Sequence, residues 1–217
     1  MSRKSGLLIL LCSVVYFCSY LTRLNYGAVL VEIVSNEGIT KTAASLAQTG
    51  LFVCYGLGQI LSGYLGDLLK PERLIFAGLT ISAGMNIAVI FSPNPLLTAA
   101  FWCVNGFAQA MIWPPMVRIF SLQLSDTEYD RACISASFGS SVATIAIYLI
   151  APLCVRFSRW QTLFIITASV AAVAAPETDA IAAKRARAEK LLAAYGNACA
   201  QVKIYLKLDK NGEPPKH

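Results

Sequence analysis

The stretch YLTRLNYG, residues 20–27, sets a permanent cation among apolar residues: Gly6 to Tyr20 carry no formal charge, and Ala28 to Val31 are apolar again. Tyr16, Tyr20, Arg23 and Gly27 follow one another at i, i+4, i+7 and i+11. That spacing lays them on one face of a helix. A guanidinium carries five donors in a planar fork that matches carboxylate or phosphate oxygens. A cation flanked by phenols is therefore a candidate anion-binding face. Two competing readings stand beside it: an arginine bonded to backbone carbonyls, and one that snorkels toward water because the helix ends nearby.

Three further stripes repeat the pattern. Gln48, Phe52, Tyr55, Gln59 and Gly63 share one helical face, as do Asn105, Gln109 and Trp113, and Ser137, Ser141, Thr144 and Tyr148. Any one stripe reads as polar glue between helices. Four of them together with Arg23 read as a polar pathway. Catalytic chemistry finds little support. The single histidine is His217, the last residue, which removes Ser-His, Cys-His and His-metal arrangements from the body of the chain. None of the seven cysteines forms a CxxC pair, and six of them sit in apolar segments, where they read as small buried hydrophobes. Asp67, Asp126, Glu128 and Asp130 could form an acidic site, but LSDTEYDR reads more simply as a loop with helix caps. No metal, cofactor or enzymatic activity is expected.

The elements that hold these stripes follow from composition. Only 14% of residues are charged, against about 25% in soluble domains. The deficit points to a membrane protein, so the net charge of +6 reads as a topology signal rather than as a nucleic-acid one. Six hydrophobic segments run over roughly 6–33, 43–66, 74–92, 96–120, 131–155 and 160–175. The start, MSRKSGLLILLCSVV, lacks a small-residue cleavage site and reads as a retained first helix. Helices are the default for such segments, because lipid leaves backbone groups no other partner. The short breaks between them suit an antiparallel bundle. With the N-terminus inside, fourteen Lys and Arg fall on the cytoplasmic side and three outside, namely Lys41, Arg156 and Arg159. A multi-pass protein of the plasma or inner membrane with both termini cytoplasmic is expected. If the first segment runs to about Ile33, Arg23 lies near its middle.

The sixth segment, WQTLFIITASVAAVAA, would span ~24 Å as a helix, short of the ~30 Å hydrocarbon core. Composition then changes. Residues 176–217 read as a short soluble cytoplasmic tail, with a helix over about 179–195, a strand over about 202–208 and a disordered end. The tail reads either as a basic helix on the membrane surface or as a foreign or incomplete segment.

The loop GYLGDLLKPER joins the second and third segments. Gly63 and Gly66 there suggest close helix contact. Asp67 stands at a membrane boundary, with Arg118 and Arg131 expected at the same level as pairing candidates, and Lys70 and Arg73 just beyond. This loop resembles the motif between helices two and three of the major facilitator superfamily, although the basic residue usual after the aspartate is Leu68 here. YLTRLNYG, GFAQAMIWPPMVR and RWQTLF resemble the organophosphate–phosphate antiporters of that superfamily, such as the glycerol-3-phosphate and hexose-phosphate transporters. The resemblance covers about residues 5–175, the first half of such a protein.

The resemblance implies an all-α six-helix transmembrane bundle equivalent to one half of a transporter, with Arg23 at the family's phosphate-binding arginine. Tyr16, Tyr20 and Tyr55 fall on aromatic pocket positions. Asn105, Gln109 and Trp113 join them as candidate substrate contacts. Gln59 and Ser141 stand where the glycerol-3-phosphate transporter has a lysine and a histidine. The implied function is exchange of a phosphate ester for phosphate by alternating access. That needs a second six-helix half or a homodimer, with lipid and a small anionic solute as the other partners. The alternative is a truncated or remnant membrane protein that does not transport.

Overall fold

A computed structural model describes residues 3–176 and residue 178. The tail features expected over 179–195 and 202–208 lie outside the described residues, as does the side chain of Asp67 and hence its pairing with Arg118 or Arg131. The described chain is all-α: α1 (Arg3–Ala28), α2 (Leu30–Glu37), α3 (Lys41–Leu68), α4 (Pro71–Ile90), α5 (Pro95–Ala110), α6 (Trp113–Gln123), α7 (Asp126–Phe157) and α8 (Trp160–Ala174).

Eight helices make six passes, because two of the expected segments are interrupted. The first is α1 followed by α2. The interruption is mild: Val29 N–H still donates to the Asn25 carbonyl at 3.2 Å, and Ile33 N–H to the Val29 carbonyl at 3.0 Å. The pass continues to Glu37, beyond the expected end near 33, and Gly38 closes it at φ 63° in the left-handed region that favours glycine. The fourth is α5 followed by α6. Pro114 and Pro115 have no N–H for the carbonyls four residues back, Ala110 and Met111, so the α-helical ladder must fail there. The chain tightens instead, with Met111 and Ile112 donating three residues back at 3.1 and 3.3 Å.

Helix starts obey local chemistry. The Thr40 hydroxyl accepts from Ala43 N–H at 3.2 Å, and the Asn94 side chain accepts from Leu97 N–H at 2.9 Å. Pro71 and Pro95 open their helices at positions where the missing N–H does no harm. LSDTEYDR is not a loop, contrary to expectation. Ser125 is the cap, Glu128 reaches back to its N–H at 3.5 Å and hydroxyl at 3.3 Å, and Asp126 to Arg131 already form the first turns of α7.

Five passes are long and apolar enough to cross a membrane, counting Pro95–Gln123 as one, and Trp160–Ala174 is a shorter apolar helix. The chain is a multi-pass membrane protein. α3 packs along α5, α1 along α7 and α8, and α4 between α5 and α8. An aromatic core ties them together. Trp102 lies 5.1 Å from Tyr26 and 5.7 Å from Phe164 between ring centres, and Trp160 lies 5.5 Å from Phe164. The Tyr26 hydroxyl donates to the Ala44 carbonyl at 3.0 Å, so this buried phenol keeps its polar end satisfied.

Close approach between helices is set by glycines other than those expected. A Cβ at Gly106 would run into the Leu51 backbone, and one at Gly78 would lie 2.6 Å from the Ala108 carbonyl oxygen. At Gly63 and Gly66 an added Cβ would meet nothing within 4 Å, so neither marks a close helix contact. The reason is position: the close α3–α5 contact is set by Leu51 against Gly106, well before α3 reaches Gly63.

Candidate functional site

Arg23 lies about five and a half turns after the start of α1 and about four turns before the end of α2. The helix does not end at Arg23: α1 continues to Ala28 and α2 carries the run on to Glu37. The Arg23 guanidinium carbon is 3.9 Å from the centre of the Tyr55 ring, 5.4 Å from Tyr20 and 5.8 Å from Phe52. Tyr20 packs edge-on against Tyr16 at 5.0 Å, and Tyr16 lies 4.9 Å from Trp113. The α1 and α3 stripes therefore face one another. Gly27 keeps the register at one end, where an added Cβ would sit 3.8 Å from Gln48 Oε1.

The local sequence explains this convergence. Residues 16, 20, 23 and 27 lie on one face of α1, and 48, 52, 55 and 59 on one face of α3. α1 packs its other faces on α7 and α8, and α3 packs on α5, so between α1 and α3 it is the long side chains that meet. Trp113 reaches the cluster because the proline pair that breaks the fourth pass sets it at the first position of α6.

Three features define what this cluster can do. The guanidinium makes no ion pair and donates no hydrogen bond among the described residues; aromatic faces surround it. An uncompensated cation in a membrane pass costs ~2.5–3.5 kcal/mol on insertion scales, and aromatic faces offset part of that. Gln59, one turn beyond Tyr55, holds a buried Nε2 donor with no partner among the described residues. And the cluster is open: Arg23, Tyr16, Tyr20 and Tyr55 are half-buried, while Phe52 is 50% exposed. Free donors and an unpaired cation at an open aromatic face suit an anion.

The other expected site residues distribute differently. Asn105 and Gln109 do not join Arg23. Both are buried, and their amides are committed inside the bundle. Asn105 Nδ2 donates to the Thr22 carbonyl at 3.2 Å and its Oδ1 accepts from Ser82 at 2.6 Å; Gln109 Nε2 lies 2.8 Å from Ser82 Oγ. The correction has a plain cause: the stripe formed by 105, 109 and 113 is interrupted at Met111–Ile112, so Trp113 departs from the face of the other two. Ser141 is exposed on α7, and its hydroxyl donates back to the Ser137 carbonyl at 3.0 Å. Arg118 donates to the Gly66 carbonyl, one residue before Asp67, while Arg73 and Arg131 are exposed in the first turns of α4 and α7. Cys12, Cys18 and Cys154 are buried and Cys54, Cys103 and Cys133 partly so, all as free thiols.

A polar network in the bundle interior was not legible as such. Asn25, Thr22, Ser82, Asn86 and Thr167 join Asn105 and Gln109 in it. Asn25 Nδ2 is 2.5 Å from Asn86 Oδ1 and 2.7 Å from Thr167 Oγ1. The available signal was a few Asn, Gln, Ser and Thr on α1, α4, α5 and α8, which only packing could assemble.

Comparison with known proteins identifies the family. The sequence profile of the Major Facilitator Superfamily matches residues 12–191. The chain is 23% identical over 146 residues to the probable hexose phosphate transport protein of Chlamydia muridarum, covering 67% of this chain and 32% of that protein. It is 26% identical over 164 residues to the glycerol-3-phosphate transporter of Bacillus subtilis, covering 71% of this chain and 36% of that one. It is 27% identical over 113 residues to the membrane sensor protein UhpC of Escherichia coli, covering 52% and 26%. The chain thus spans about a third of the length of the curated relatives it matches. A helical bundle of apolar passes, matched by that profile over most of its length, this chain belongs to the Major Facilitator Superfamily.

Proposed function

We propose that this chain is the N-terminal half of a secondary transporter for a phosphorylated organic anion, exchanged for phosphate, with Arg23 as the anion-binding cation. The observation that carries this reading is Arg23 itself: a guanidinium inside a membrane pass, unpaired, stacked on Tyr55 at an open face. Tyr16, Tyr20, Gln59 and Trp113 complete the half-site, with Ser141 exposed on α7 as a further candidate contact. The names of the relatives, a hexose phosphate and a glycerol-3-phosphate transporter, support a phosphate ester as solute. A second six-helix half, or a second copy of the chain, closes the open face. Alternating access then rocks one half against the other around the bound anion. Both termini lie in the cytoplasm in this reading, as the Lys and Arg distribution favours.

The deciding experiment reconstitutes the two-half protein in proteoliposomes and measures uptake of a labelled phosphate ester against internal phosphate. Arg23→Lys should raise the half-saturating concentration tenfold or more, because an ammonium loses the bidentate fork. Unchanged uptake would remove Arg23 from the site. Uptake of a carboxylate or neutral solute, with no response to phosphate esters, would overturn the substrate class.

A second reading rests on the similarity to a membrane sensor protein. The same half-site can register an anion without moving it. Tight binding of a phosphate ester with no counterflow would favour sensing over transport.

A further inference from the structure

The network beside the Arg23 face has a directional feature. Its amides from α4 and α5 converge on the backbone of one turn of α1. Asn86 Nδ2 and Asn105 Nδ2 donate to the Thr22 carbonyl at 3.1 and 3.2 Å. Gln109 Nε2 lies 3.1 Å from the Ser19 carbonyl, 2.9 Å from Thr22 Oγ1 and 2.8 Å from Ser82 Oγ, its two hydrogens shared among three acceptors. Ser19 and Thr22 both lie in the turn that leads into Arg23, and Thr22 is its immediate neighbour.

On one side this turn packs on α7 and α8, with Leu21 in the buried core. On its other side the Arg23 face meets α3 only through long side chains and opens outward. Nearly two turns later the pass is interrupted at Val29, and Tyr26 N–H is 2.8 Å from the Asn25 side-chain oxygen, a local competitor for the helical ladder. Apolar contacts tolerate rotation of a helix about its axis, whereas hydrogen bonds to named carbonyls do not. A rotation of ~20° moves a side-chain tip at the ~6 Å helix radius by ~2 Å, enough to lift a guanidinium off a ring.

We infer that Gln109, Asn105 and Asn86 are positioning residues for Arg23: they clamp the Ser19 and Thr22 carbonyls and so fix the rotation of α1 that stacks the guanidinium on Tyr55. The inference rests on the reading of Arg23 as the anion-binding group. It assigns the buried amides a role through α1 rather than through contact with the solute. Ser82 couples the clamp, since its hydroxyl donates to Asn105 Oδ1 at 2.6 Å while lying beside Gln109 and Thr22.

The test uses the full chain in phospholipid nanodiscs, labelled with 15N-arginine. The Arg23 Nε–H resonance, assigned by its loss in Arg23→Lys, carries a ring-current shift from Tyr55. Gln109→Leu should move that resonance toward the unstacked arginine position and weaken binding of inorganic phosphate about tenfold. Helix content should stay unchanged. Thr22→Val, which keeps side-chain volume and removes the hydroxyl that accepts from Gln109 and donates to the Ser19 carbonyl, should move the resonance in the same direction by less. If Gln109→Leu does not fold, Thr22→Val decides alone. An Arg23 resonance that stays in place in the folded variants overturns the positioning role. If the native chain shows the shifted resonance yet binds no phosphate, the anion reading fails, while movement of the resonance in the variants still supports the clamp.

Discussion

Arg23 lies with its guanidinium carbon 3.9 Å from the centre of the Tyr55 ring, a stack between the first and second passes of the bundle. It joins two polar stripes that lie far apart in sequence and leaves the planar donors of the guanidinium free at an open face. Such contacts are worth ~0.5–2 kcal/mol according to how dry they are. Tyr55→Leu should therefore weaken phosphate binding ~2- to 30-fold, and Tyr55→Phe, which keeps the ring, should fall near the native value. Isothermal titration of the purified protein distinguishes the two.

The glycines separate into those that permit close approach and those that do not. Gly106→Ala places a methyl against the Leu51 backbone, where neither helix can yield without moving away. Overpacking of this kind typically costs ~1–3 kcal/mol. Unfolding in mixed detergent should show that loss for Gly106→Ala and no measurable loss for Gly63→Ala, which meets open space. Equal effects at the two positions would contradict the packing described here.

The Asn25–Asn86 contact at 2.5 Å is part of the network that joins α1, α4 and α8. Interhelical hydrogen bonds in membranes average ~0.6 kcal/mol and reach ~1.7. A double-mutant cycle of Asn25→Leu and Asn86→Leu should give a coupling energy of about that size. A coupling near zero would show that the amides repartner rather than act together.

Arg118 of α6 donates to the Gly66 carbonyl near the end of α3. Carbonyls in the last turn of a helix lack intrahelical donors, and a guanidinium satisfies one of them. Arg118→Leu should accelerate hydrogen exchange of the amides over 66–70 relative to the helix middle, and Arg118→Lys should restore part of the protection. Mass spectrometry of the exchanged peptides reads both.

How much was legible depends on the residue. In YLTRLNYG, helical spacing fixed which residues share a face with Arg23, and the tyrosines at 16 and 20 do so. The same eight residues also send Asn25 into the interior network and Tyr26 into the aromatic core, which spacing could not say because it does not name what each face meets. Asn105 and Gln109 carried the same stripe signal as Tyr55 and went the other way, into the bundle. Polar residues at helical spacing mark a face; whether that face lines an opening or a seam depends on which helix lies opposite.

The sequence by itself determined the class of this protein. Low charge and six apolar segments dictate a helical membrane bundle, since lipid leaves backbone groups no partner but the helix itself. Local chemistry at Gly38, Pro114, Pro115 and Ser125 determined where helices stop and start, because those effects act within one turn. Only the tertiary structure decided that Arg23 is unpaired and stacked on Tyr55, that Gly106 rather than Gly63 admits a neighbouring helix, and that three amides converge on the turn beside Arg23. Those relationships join residues on different passes, and the pairing of passes is set by the packing of whole faces rather than by any local pattern.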